Sequence, residues 1–162
     1  MGKGPAGNSI VTSWLAEPWA AGCVTPIVLH DPADAATREK VQVLLHTLAT
    51  DPANGIEAVL DRQQTVALGG FPEAAFLITL KVGYCNGGAL TGALVTPSPM
   101  KGVHGYNIAT TPAMRSSFFM FGQGIARGKD LGLVDMRQIA PTLARILGVP
   151  LPSAKQAILP IH

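Results

Sequence analysis

Val24-Thr25-Pro26-Ile27-Val28-Leu29 runs through His30-Asp31-Pro32-Ala33-Asp34 into the long segment A-A-T-R-E-K-V-Q-V-L-L-H-T-L-A-T (35–50), then Asp51-Pro52-Ala53-Asn54-Gly55 and Ile56-Glu57-Ala58-Val59-Leu60. The reading of this stretch decides the fold. Its first six residues are apolar and β-branched, the signature of a strand, and Pro26 moves that strand toward a sheet edge because it has no amide to give a neighbour. Asp31 reads as the N-cap of a helix with Pro32 at its first position and Asp34 as a second acid in the first turn. Val41, Leu44, Leu45 and Leu48 recur at helical spacing and give one apolar face to pack on a sheet. The Asp51–Gly55 segment turns the chain, and Ile56, Ala58 and Leu60 alternate with Glu57 and Val59 as a second strand.

Outward from there the pattern repeats. Asp61 caps a short helix through Ala67, stopped by Gly69-Gly70, and Ala74 to Val82 contains F-L-I-T-L, the most buried strand of this half. Gly83-Tyr84-Cys85-Asn86-Gly87-Gly88 is a turn with many conformational options. Ser116 to Phe121 reads as a central strand, dense in Phe118, Phe119, Met120 and Phe121, and 122–132 is a loop. Asp135-Met136-Arg137-Gln138 has capping-box form, and Ile139, Leu143, Ile146 and Leu147 make the buried stripe of a last helix ended by Gly148 and Pro150. Pro141 inside it removes a helix hydrogen bond unless the first turn is irregular. On the N-terminal side Trp14 and Trp19 cover an apolar surface, and residues 1–9 are expected to be loose. Strands separated by helices predict an α/β fold with a mixed, largely parallel sheet flanked by helices, in one domain over 1–162.

With 162 residues the chain can bury a core. Only 14% of residues are charged and 48% are hydrophobic, and mean hydropathy is +0.30, so part of its surface is expected to face more protein, as a homo-oligomer or against a missing N-terminal portion. The net charge of +2 comes from scattered Lys and Arg with no basic run, which disfavours nucleic acid. Apolar runs stop well short of a membrane span, and residues 1–5 lead into no signal-type apolar run, so no membrane partner is expected and the compartment stays open. Cys23 and Cys85, 62 positions apart, read as reduced or buried thiols, with a disulfide as the unsupported alternative.

The chemistry concentrates at Ser98 to Gly122, where His104 stands between Gly102 and Gly105 in a proline-bounded loop. K-G-V-H-G-Y (101–106), M-R-S-S-F-F (114–119), G-Q-G-I (122–125) and V-D-M-R-Q-I-A-P-T-L-A-R-I-L-G (134–148) occur in an order that resembles the C-terminal part of the type I phosphodiesterase / nucleotide pyrophosphatase family, within the alkaline phosphatase superfamily. G-G-F-P-E-A-A-F (69–76) and the K-x-G-Y turn (81–84) extend the resemblance, which runs from about Ser13 to Leu159. It implies a truncated alkaline-phosphatase-like domain, and implies for His104 the role of ligand to one of two catalytic metal ions, usually zinc. Tyr106 and Arg115 flank that loop as candidate phosphate contacts; equally, Tyr106 can pack the loop and Arg115 can pair with a surface acid. Val82, Cys85, Ile108, Thr111 and Ala113 depart from the family pattern.

One histidine does not make a zinc site, which in a catalytic setting takes about three protein ligands. No D-H-G or D-x-x-x-H element occurs in the chain, and Asp31 beside His30 reads better as a cap. The family's nucleophile and remaining ligands match no position here, so no catalytic residue is assigned. G-Q-G-I-A-R-G (122–128) has G-x-G-x-x-x-G spacing and reads as structural. Cys85 with His104 as thiol and base would need an orienting third group. The expected function is therefore a fragment of a metal-dependent phosphodiesterase or pyrophosphatase that is inactive alone. The alternatives are a non-enzymatic self-assembly module using an exposed apolar sheet surface, and a single-metal hydrolase completed by a second subunit.

Overall fold

The computed structural model of the chain describes residues 2–3, 5 and 9–162. It divides into two units, Met1–Arg115 and Ser116–His162. In the first, β1 (Gly2–Lys3) pairs antiparallel with β2 (Ser9–Ile10). The rest of the segment expected to be loose lies outside the described residues, apart from Pro5. A second sheet holds β3 (Ala16–Pro18), β4 (Val24–Leu29), β5 (Ile56–Asp61) and β6 (Phe76–Leu80) in the order β3-β4-β6-β5. Helix α1 (Ala35–Thr50) joins β4 to β5, and α2 (Arg62–Ala67) lies between β5 and β6.

This sheet corrects the expected largely parallel arrangement: each of its pairings is antiparallel. No neighbouring strands run parallel, because β4 and β5 are not neighbours. Helix α1 returns the chain so that β4 and β5 run the same way, since both are antiparallel to β6. The later strand then inserts between them, with Ile27 opposite Phe76 on one side and Leu60 opposite Leu77 on the other. Period and composition report a strand's existence and its buried face, whereas neighbour order depends on a strand further along the chain.

Register assigns the core. Thr25, Ile27 and Leu29 share a face with Phe76 and Ile78, and across the sheet Ala16 lies opposite Leu29 and Val59 opposite Ile78. Leu45 of α1 closes on this face, making a cluster of Ile27, Leu45 and Phe76 with Ala16, Val41, Val59, Ala75 and Ile78 around it. Pro26 is buried in an interior strand, not at an edge. It is tolerated because the amide it lacks would point to the β3 side, where its carbonyl accepts from Trp19 N–H at 2.8 Å just past the last residue of that short strand.

Caps explain the helix limits. The N-cap of α1 is Asp34, three residues after the expected Asp31: its carboxylate accepts from the Thr37 amide at 2.9 Å and the Thr37 hydroxyl at 2.6 Å. Asp31 instead closes the preceding turn, accepting from Ala33 N–H at 2.8 Å. Leu44, expected on the buried face, is exposed. Asp61 caps α2 as expected, in a capping box with Gln64. No helix among the described residues is long and apolar enough to cross a membrane.

In the second unit Asp135 and Gln138 form the expected capping box around a 3-10 turn, Met136–Gln138, which leads into α3 (Ile139–Leu147). Pro141 thus falls in the first turn of α3, where the amide it lacks has no helical partner to lose. The expected buried stripe is reversed. Pro141, Thr142 and Ala144 are buried, while Leu143, Ile146 and Leu147 are exposed. Thr142 fixes this face, its hydroxyl donating to Gln138 O at 2.6 Å and accepting from Leu159 N–H at 2.8 Å. The expected strand at 116–121 is also corrected: the segment makes no ladder, and Phe119 and Phe121 are 85% and 94% exposed.

Phe76→Ala is expected to destabilise the chain by about 3–5 kcal/mol through the cavity it opens, and Phe119→Ala to stay within about 0.5 kcal/mol of wild type. Denaturant unfolding of the two variants checks this, and equal losses would place 116–121 in a packed core.

Candidate functional site

His104 is exposed on a loop without regular structure, yet its backbone is held. Cys23 N–H donates to the His104 carbonyl at 3.0 Å, and the Cys23 carbonyl accepts from Leu80 N–H at 3.1 Å. The loop is therefore one hydrogen bond from the β4–β6 ladder. The approach relies on two glycines with positive φ, Gly22 (+67°) and Gly105 (+92°). A methyl on Gly22 would stand 2.2 Å from the His104 carbonyl oxygen and 2.9 Å from its Nδ1; one on Gly105 would stand 2.7 Å from the Ala21 carbonyl. Both positions combine a left-handed backbone with contact no side chain can enter. The imidazole Nδ1 thus lies over Gly22.

Tyr106 packs the same loop from its other end. Its hydroxyl donates to the Tyr84 carbonyl at 2.9 Å and accepts from Gly83 N–H at 3.2 Å, so the 83–84 turn and the His104 loop are bound together. The Cys23 thiol beside this phenol, and then burial, raise its pKa above the ordinary tyrosine value. Asn86 ties the turn to β4: its Nδ2 donates to Gly22 O at 2.7 Å and Val24 O at 2.9 Å, and its Oδ1 accepts from the Thr25 hydroxyl. Tyr84 lies flat against Gly55, where a methyl would come 2.2 Å from the ring.

Of the three residues singled out from sequence, His104 and Tyr106 belong to this network. Arg115 lies outside it, exposed, its amide donating to Pro112 O at 3.0 Å after the 3-10 turn Pro112–Met114. Asn86, Gly22 and Cys23 were missed as site-building residues. The available signal for Asn86 was an amide side chain in a glycine-rich turn, a residue type that substitutes for backbone hydrogen bonding. His30 meets Trp14 edge-on with ring centroids 4.9 Å apart.

Among the described residues no group of three or more His, Cys, Asp or Glu side chains is placed to hold a metal ion. His104 is a single donor, and the residues around it do not fit a complete zinc site. What the arrangement provides is an imidazole presented to solvent by a backbone with little freedom. Compared with family models, with curated proteins and with solved structures, the chain matches none.

Because the folded-state pKa of Tyr106 is raised, its contribution to stability is complete below the unfolded phenol value, about 10, and is lost as pH rises through the folded value. Ultraviolet titration is expected to show a phenol ionising above the ordinary range, absent in Tyr106→Phe, and that substitution is expected to cost about 1 kcal/mol at neutral pH. Gly22→Ala is expected to destabilise by more than the roughly 1–2 kcal/mol of left-handed strain alone, since the His104 backbone must also move; thermal unfolding measures it.

Proposed function

We propose that this chain is the C-terminal portion of a metal-dependent nucleotide pyrophosphatase or phosphodiesterase, in which His104 supplies one ligand to the catalytic metal site and the nucleophile and remaining ligands come from other polypeptide. The observation that carries the reading is the presentation of His104. A lone exposed loop histidine has no reason to be pinned through its own carbonyl and two glycines that admit no side chain. A ligand does, because metal sites tolerate errors of only a few tenths of an ångström. The H-G-Y element also makes physical sense as a unit, with Gly105 allowing the approach to Ala21 and Tyr106 anchoring the far side of the loop. On this reading zinc is held where this chain meets the complementing polypeptide, and Arg115 is the weaker of the two phosphate candidates.

The exposed apolar side chains favour a second reading, a self-assembling module. Met136, Leu143 and Leu147 are exposed at helical spacing along the 3-10 turn and α3, and Phe119 and Phe121 stand nearby in sequence. A surface of this kind is unusual unless covered.

Activity and assembly are tested by separate measurements. Purified chain with zinc or manganese is expected to release no more nitrophenol from bis(4-nitrophenyl) phosphate than its His104→Ala variant; metal-dependent turnover lost in the variant would mean that this chain holds the missing groups. Light scattering tests assembly, where a tight oligomer broken by Leu143→Glu with Leu147→Glu supports the module and a monodisperse monomer excludes it.

A further inference from the structure

We propose that Cys23 and Cys85 are a redox pair that a low-molecular-mass disulfide converts into an intramolecular disulfide bond. The argument starts from Asn86. Its backbone N–H donates to Gly22 O at 3.3 Å, and its side chain donates to Gly22 O at 2.7 Å and Val24 O at 2.9 Å, so it grips the residues on either side of Cys23. Cys85 is the residue immediately before Asn86. The hydrogen bonds between their neighbours put Cys23 and Cys85 on adjoining segments, as closure of a disulfide requires. Tyr106 marks the same convergence from the other side, its hydroxyl bonding the carbonyl of Tyr84, the residue before Cys85.

The two cysteines differ in access, which sets the order of events. Cys85 is half-buried and Cys23 fully buried, and both are free thiols. The Cys85 thiolate attacks one sulfur of the small disulfide, forming a mixed disulfide and releasing one small thiol. The Cys23 thiolate then attacks the Cys85 sulfur, closing the protein disulfide and releasing the second small thiol. The two protein thiols are oxidised, the reagent disulfide is reduced to two thiols, and the protons lost by the cysteines are taken up by the leaving thiolates. The bond would join the Gly83–Gly88 turn covalently to the turn that carries the His104 loop, independently of any metal chemistry there.

The test treats the reduced full chain with oxidised glutathione under native conditions, followed by intact mass and alkylation. Wild type is expected to lose both alkylatable thiols and the mass of two hydrogen atoms, with no adduct and no chain-to-chain link on a non-reducing gel. Cys23→Ser is expected to stop as the glutathione adduct on Cys85, and Cys85→Ser to stay unreacted. A wild-type chain that keeps both thiols, retains glutathione on Cys85, or couples to a second chain overturns the proposal.

Discussion

Phe76–Leu80 gives backbone hydrogen bonds to two strands at once, and the first unit depends on that insertion. Without β6, β4 and β5 are two parallel strands joined by a helix with a gap between them. With it, the Ile27–Leu45–Phe76 cluster closes and the sheet gains a core face. A late strand filling an early gap is a non-local contact whose loop-closure cost comes before its return. Thr79, almost fully buried on β6, shows the consequence: its hydroxyl reaches Glu57 across the register shift in β5, a bond that exists only once both strands are in place.

The candidate site inherits its position from the same strand. Leu80 N–H bonds the Cys23 carbonyl, Cys23 N–H bonds the His104 carbonyl, and Asn86 grips the carbonyls on either side of Cys23. Cys23 is thus the joint between sheet and loop, with nothing of it left exposed. A histidine attached in this way moves with the sheet, so its placement is a property of the fold more than of the loop's own sequence.

Local elements were legible in the sequence wherever a single residue type carries the signal. Asp61 and Asp135 cap where capping chemistry places them, Gly148 ends α3 with φ +68°, and Pro141 falls where its missing amide does no harm. What the sequence hid was non-local. The neighbour order of β4 and β5 is set by β6. The outward turn of Leu143 and Leu147 is set by Thr142 bonding Leu159, and Ser116–Phe121 has every local property of a strand without a partner to make it one. For the site, His104 and Tyr106 were legible as a motif, whereas Asn86 looked like one more loop residue because its partners lie more than 60 positions away.

The tight build of the loop is itself informative. Backbone order around His104 costs conformational entropy that a plain surface loop need not lose, and the two glycines at positive φ lose more than other residues would. Four hydrogen bonds at Asn86, two at the Tyr106 hydroxyl and one at the His104 carbonyl all fix the direction of a chain. Directional bonds of this kind add little net stability each but define geometry. Here they fix the backbone on which the exposed His104 imidazole stands.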